Sequence, residues 1–242
     1  MNRVKAGFFS LTPPAPADDD GSYLRWHLLD HMPEQYSIPG IALGLRWIAD
    51  GDYPKHQLVG DGELTEVGNA VCYLMSEPVQ ETYDAFMDLG PALRDAGRFP
   101  ETRRSLQTRL LGLDSAQTAP AALVSAEVVP FRPHRGVVLI VEASNDDATA
   151  WHDWLAGEAG TAMLDVPGVA GIWSFHTNET WKLRTTCEGP PQRNTVIFLD
   201  ADPLETTASL TPMIERRWSS RAVRPMFAGP LRTMIDWEAW KD

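Results

Sequence analysis

The sequence predicts an α+β protein built from two tandem βαββαβ repeats that close into one intramolecular α/β barrel. Three observations carry that expectation. The first is a set of matches at a nearly constant offset. Residues 69–80, NAVCYLMSEPVQ, match 194–205, NTVIFLDADPLE, at 125 residues. Trp26-His27 recurs as Trp151-His152 at the same offset, and Ile38-Pro39-Gly40-Ile41 recurs as Val166-Pro167-Gly168-Val169 at 128. The second is that each copy reads strand, helix, strand, strand, helix, strand. The third is that the third strands are apolar on both sides, as in Val71-Cys72-Tyr73-Leu74-Met75 and Val196-Ile197-Phe198-Leu199. A strand without polar alternation has both faces buried.

Each element has a local reason. The first strands, over 4–11 and 137–143, are short apolar runs rich in β-branched and aromatic residues. The first helix follows Asp18-Asp19-Asp20-Gly21-Ser22, where acids favour a helix start, and ends near Tyr36 before Ile38-Pro39-Gly40. The second copy begins its helix at Asn145-Asp146-Asp147. Second strands fall over 41–48 and 169–176. Glu77-Pro78 and Asp202-Pro203 open the second helices, since proline fits an early helical turn. Fourth strands are expected over 108–113 and 226–233. This order is the ferredoxin-like plan, in which both helices cover one sheet face. The sister sheet covers the other face, and the space between the sheets is where a ligand is expected. The organisation is a first repeat over 1–116, a linker over 117–135 and a second repeat over 136–242.

Composition narrows the function. The chain has 242 residues and a formal net charge of −12. An acidic surface repels phosphate backbones, so a nucleic-acid partner is not expected. Two arginine groups, Arg103, Arg104 and Arg109, then Arg216, Arg217, Arg221 and Arg224, stand among acids and read as paired or solvated positions. Cys72 and Cys187 are the two cysteines and show no metal-ligand or disulfide pattern. No apolar run reaches the length of a membrane span, and a soluble cytoplasmic protein is expected. Phosphate loops, nucleophile elbows and paired carboxylates do not appear.

The candidate chemistry rests on a few side chains. His27 and His31 are four apart and share a helix face. An imidazole titrating near neutrality is a natural proton carrier. On a 3.6-residue wheel they fall with Asp30, Glu34 and Gln35, opposite Trp26, Leu29, Met32 and Tyr36, so a solvated face is the competing reading. No third ligand is spaced for a metal. Arg46 interrupts an apolar strand and either sits at an edge or anchors an anion. Tyr73 and Cys72 point to opposite faces, and the Tyr73 hydroxyl needs a partner that a substrate oxygen would supply. Phe198 stands opposite Tyr73 in the matched segment. His176 ends a strand. Trp47 and Trp173 either pack as core or, with His176, line a site for a flat ligand.

Trp26-His27-x-x-x-His31-Met32-Pro33 followed by Ile38-Pro39-Gly40-Ile41 resembles the dimeric α/β-barrel superfamily, in particular its EthD-like branch. The second copy has no equivalent of His31-Met32-Pro33. What the resemblance implies is broad: cofactor-free monooxygenases, lactone isomerases, polyketide cyclases, haem-binding enzymes and proteins without known activity. The expectation drawn from it is a cofactor-independent enzyme acting on a small apolar carbonyl or aromatic compound. His27 or His31 would move a proton and Tyr73 or Arg46 would steady an oxyanion. The alternatives are haem held by His152, His176 or His27, and a non-catalytic binding or assembly protein. A tandem chain can complete its barrel as a monomer, while sheet edges could still drive a homodimer.

Overall fold

The computed structural model describes residues 2–15, 21–100, 104–144, 154–219 and 223–234. The acids at 18–20 and 145–147, Trp151-His152, Arg103 and Arg221 lie outside the described residues. The strands are β1 (Val4–Thr12), β2 (Ile41–Ile48), β3 (Val59–Gly60), β4 (Asn69–Ser76), β5 (Gln107–Thr118), β6 (Gly136–Ser144), β7 (Val169–Thr177), β8 (Gln192–Leu199) and β9 (Val223–Thr233). The helices are α1 (Ser22–Trp26), α2 (Met32–Gln35), α3 (Val79–Asp95), α4 (Glu158–Leu164) and α5 (Pro203–Ser219), with a π turn, His27–His31, joining α1 to α2.

All strand pairings are antiparallel and run β2-β4-β1-β5-β7-β8-β6-β9, and β9 pairs back onto β2. Each half therefore has the ferredoxin-like order, and the two sheets close into one eight-stranded barrel. The seams differ. β5 and β7 pair from Leu111↔Thr177 to Thr118↔Gly171. β2 and β9 meet only at Trp47↔Thr233 and Ile48↔Arg232. The long seam explains why β5 outruns the expected strand. Residues 114–118, DSAQT, have no apolar pattern, yet β7 holds them in the sheet. The first residues of the expected linker are thus strand, and the rest contains two short 3-10 turns whose Val129 is fully buried.

The space between the sheets was expected to hold a ligand. It is filled instead by Phe9, Trp47, Trp173, Phe175 and Phe198 with their aliphatic neighbours. Their rings meet edge-on or tilted at 5.1–6.4 Å, a geometry that contributes about 0.5–1.5 kcal/mol per pair beyond burial. Each outer face is covered by its own half's helices. The first half packs Phe8, Val71, Tyr73 and Met75 against Met32, Val79, Tyr83 and Phe86. The second packs Val138, Ile140, Ile197 and Leu199 against Leu155, Met163, Leu210 and Ile214.

Sheet register corrects the expected correspondence of the two halves. Ile41 pairs with Met75 before a bulge, and Val169 pairs with Leu199 before a bulge. Met75 and Leu199 lie 124 residues apart, not 125. One residue flips every side chain to the other face. Tyr73 therefore corresponds to Ile197, which also faces helices, and not to Phe198, which faces the barrel. The second helices obey the same offset. The Thr82 hydroxyl donates to the Pro78 carbonyl, and the Thr206 hydroxyl to that of Asp202, each at 2.8 Å.

Candidate functional site

Pro33 explains the local shape of the first helix. It cannot donate to the carbonyl four residues back, and its ring crowds that carbonyl. The chain answers with a π turn, in which the Met32 amide donates to the His27 carbonyl five residues earlier. Such wide turns recur at functional positions. The wheel that placed the histidines on a solvated face assumed regular α geometry. In the structure His27 and His31 are 4% and 7% exposed, while Leu29 and Tyr36 stand 49% and 47% exposed. Asp30 and Glu34 turn outward onto Arg98, at 3.1 and 2.6 Å.

The histidines open into a cavity of about 440 Å³ between the first half's helices and the outer face of its sheet. Phe8, Ser10 and Thr12 of β1 and Val71 and Tyr73 of β4 form its floor, and Phe86, Met87, Gly90, Pro91 and Arg94 of α3 form one wall. His27 Nε2 lies 3.5 Å from the Tyr73 hydroxyl oxygen, and His31 Nε2 lies 3.2 Å from Gln35 Nε2. The His31 ring stacks on Trp26 at 4.7 Å and meets Phe99 edge-on at 5.5 Å. Trp26 is itself fixed, because its indole donates to the Arg98 carbonyl at 2.7 Å.

The second half contributes a further part of the lining. Arg184, Thr185 and Thr186 come from the β7–β8 connection, which crosses over α3. Lys182 and Gln80 exchange two hydrogen bonds, the Arg184 amide donates to the Tyr83 hydroxyl, and Arg184 pairs with Asp88. Burial pushes the Tyr83 phenol up, with Cys187 beside it acting in the same direction.

The other sequence candidates lie elsewhere. Arg46 is buried, donates to Asn69 Oδ1 at 2.8 Å and lies against the ring of Tyr23 at 5.2 Å. Tyr23 lines the cavity and Arg46 does not. Trp47 and Trp173 belong to the barrel interior, where their indoles donate to His134 Nε2 and the Ala126 carbonyl. His176 sits at the end of β7, 3.7 Å from Asp114. None of the three lines the cavity: Trp47 and Trp173 point into the barrel, and His176 stands on the second half's β7. Cys72 is in the barrel core, opposite Tyr73 as alternation requires, and burial pushes its thiol up. Of the arginine groups, Arg104 pairs with Glu63 and Glu66, Arg217 with Glu142, and Arg224 with Asp61. Among the described residues no group of His, Cys, Asp or Glu is arranged to hold a metal, and no helix is long and apolar enough to cross a membrane.

The corresponding place in the second half is filled. At the structural offset Gly90 becomes Ile214, Leu93 becomes Arg217 and, through the register of β1 and β6, Thr12 becomes Glu142. Arg217 and the Trp218 indole both donate to the Glu142 carboxylate. Burial pushes that carboxyl up, while Arg217 beside it acts the other way. Sequence reasoning missed Gln35, whose spacing from His31 was visible, and 184–186, whose role depends on the other half's fold.

No protein-family model matches the sequence, and no curated protein matches it. Solved structures do match in fold. An anthrone oxidase-like protein is 11% identical, with 97% of this chain and 93% of that chain covered and a TM-score of 0.54. A mutant chlorite dismutase from Candidatus Nitrospira defluvii in complex with cyanide is 13% identical, covering 99% and 94%, with a TM-score of 0.57. The chlorite dismutase of the same organism in complex with imidazole is 14% identical, covering 99% and 94%, with a TM-score of 0.52. The likeness spans both halves of the chain, and at such identities what is shared is the ferredoxin-like fold.

Proposed function

We propose that this protein is a cofactor-independent enzyme acting on a small apolar carbonyl or aromatic compound, with His27 as the group that moves the proton. One observation carries the reading: His27 and Tyr73, both buried, meet at 3.5 Å inside an aromatic-walled cavity. That volume lies within the range of about 300–1,000 Å³ for small-molecule sites. In this reading His27 Nε2 takes a proton from carbon next to a carbonyl, and the Tyr73 hydroxyl donates to the oxygen on which charge develops. His31, held between Trp26, Phe99 and Gln35, positions the substrate's ring. Arg46 supports Tyr23 instead of facing the oxyanion. The Trp26-to-Pro33 motif is the support for the EthD-like branch, and the cytoplasm is the compartment this reading assumes.

The residues fit haem poorly. Of the cavity's two imidazoles, His31 Nε2 is turned to Gln35, which leaves His27 Nε2, the atom that the proton-transfer reading uses. His176 stands outside the cavity beside Asp114, and His152 lies outside the described residues.

The test is proton exchange in D2O, followed by NMR as loss of the α-proton signal across a panel of aryl ketones and aryl 1,3-diketones. Wild-type protein should accelerate exchange of at least one compound over buffer. His27→Gln should remove about 10²-fold or more of that acceleration while keeping the wild-type melting temperature. Exchange unchanged in His27→Gln, or absent in wild type across the panel, would sink the assignment.

A further inference from the structure

Among the described residues, the charged side chains that line the cavity are opposite in sign to the chain's net charge. The protein carries 33 acidic and 21 basic residues, yet among the described residues no carboxylate lines the cavity, whereas Arg94 and Arg184 do. The nearby acids among the described residues are turned away. Asp30 and Glu34, on the same helical segment as the histidines, are held outside by Arg98. Asp88 meets Arg184 from the solvent side, with its own side chain 71% exposed. Arg94 has no carboxylate within 4 Å among the described residues and lies over the Phe99 ring at 4.9 Å. Cation and aromatic wall thus stand together, with Arg94 of α3 and Arg184 of the β7–β8 connection both exposed and the histidines and Tyr73 buried.

The geometry points to an anionic aromatic ligand: a flat ring system seated among Phe8, Phe86, Phe99 and Tyr73, with a carboxylate or phenolate directed at Arg94 and Arg184. This names the substrate class of the proposed proton-transfer site and rests on that reading for what happens next, but not for binding. Arginine presents a planar fork of donors matched to a carboxylate, and a positive mouth on a negative protein draws an anion inward. The two arginines come from different halves, α3 and the β7–β8 connection, so selectivity needs the whole chain.

The experiment is calorimetric titration of the full chain with 2-naphthoate and with 2-naphthamide, which differ in charge and hardly in shape. Wild type is expected to bind the acid at least tenfold more tightly. Raising salt from 0.05 to 0.5 M should erode that preference, since exposed charges are screened. Arg94→Gln combined with Arg184→Gln should bring the two ligands within threefold. The Arg94→Lys, Arg184→Lys pair should keep part of the preference, which separates charge from loss of packing. Equal affinities in wild type, tighter amide binding, or no binding of either at millimolar concentration overturns the inference. Failure of proton exchange alongside an intact preference would leave an anion-binding site without the chemistry, and exchange without the preference would leave the chemistry without this substrate class.

Discussion

At the scale of single residues, buried polar groups show which protonation states the fold demands. The Trp47 indole N–H donates to His134 Nε2 at 2.9 Å, so that nitrogen accepts and carries no proton. His134 Nδ1 lies 3.2 Å from the Arg132 carbonyl and donates to it. The ring is therefore neutral in the native state, and its pKa is lowered, chiefly because burial penalises the charged form. The unfolded chain binds a proton below about pH 6.5 that the native state refuses. Stability then rises with pH across the window between the lowered native pKa and the unfolded value. It is fully present above that window and is lost as pH falls through it. Urea unfolding at pH 7.5 and 5.5 should show wild type losing stability on acidification. His134→Asn, which has no titrating ring, should lose less, and an equal loss in both proteins would remove His134 as the cause. His134 stands in a connection beside Pro133. Its proline-bearing surroundings suggested a loop, and no local pattern shows that Trp47 would reach it across 87 positions.

At the scale of elements, two glycines share a backbone conformation and differ in what surrounds them. Gly21, before α1, has φ +89°, and a Cβ there would meet nothing within 4 Å. Gly40, between α2 and β2, has φ +96°, and a Cβ would stand 2.1 Å from Thr82 Oγ1 on α3. Gly21→Ala should cost about 1 kcal/mol, the strain of a left-handed alanine. Gly40→Ala adds a collision with a hydroxyl already committed to the Pro78 and Pro39 carbonyls. It should reach the upper part of the roughly 1–3 kcal/mol range for backbone strain. Urea denaturation of the two variants decides it, and equal losses would show that space around Gly40 is unimportant. The Ile-Pro-Gly-Ile step was legible because proline and glycine act locally. The strands over 41–48 and near 4–12 were legible for the same reason: their apolar runs match their length. Less legible was the orientation of His27 and His31, since a wheel drawn at 3.6 residues fails across a π turn. The matched Asn69 and Asn194 likewise suggested an offset that the sheet register corrects by one residue, and identity of residue type cannot report which face a strand position takes.

At the scale of the molecule, the question is whether the barrel leaves an edge that a second chain would use. The two-copy plan was readable from the repeated strand and helix segments, but the unequal seams were not, because they depend on how β9 returns to β2. That return is short, and β3 extends it by pairing Val59↔Ala228 and Gly60↔Phe227. Along β2 the phenol of Tyr36 accepts from the Gly44 amide at 2.9 Å and donates to the Gly44 carbonyl at 3.3 Å. One side chain thus takes the place that a neighbouring strand's backbone would occupy. Blocking an edge in this way removes the template for further pairing. The expected state is a monomer, so light scattering coupled to size exclusion should give a single species near 26.9 kDa. Tyr36→Phe keeps the ring and removes the hydroxyl, leaving the Gly44 amide to water. Hydrogen exchange at Gly44 should quicken by about tenfold, the equivalent of losing one net hydrogen bond of roughly 1 kcal/mol or slightly more. The variant should also begin to dimerise at concentrations where wild type does not. A wild-type dimer would mean that the short seam opens in solution and that β2 and β9 pair between chains instead of within one. Unchanged exchange in a monomeric Tyr36→Phe would mean that the phenol covers an edge the fold already protects by other means.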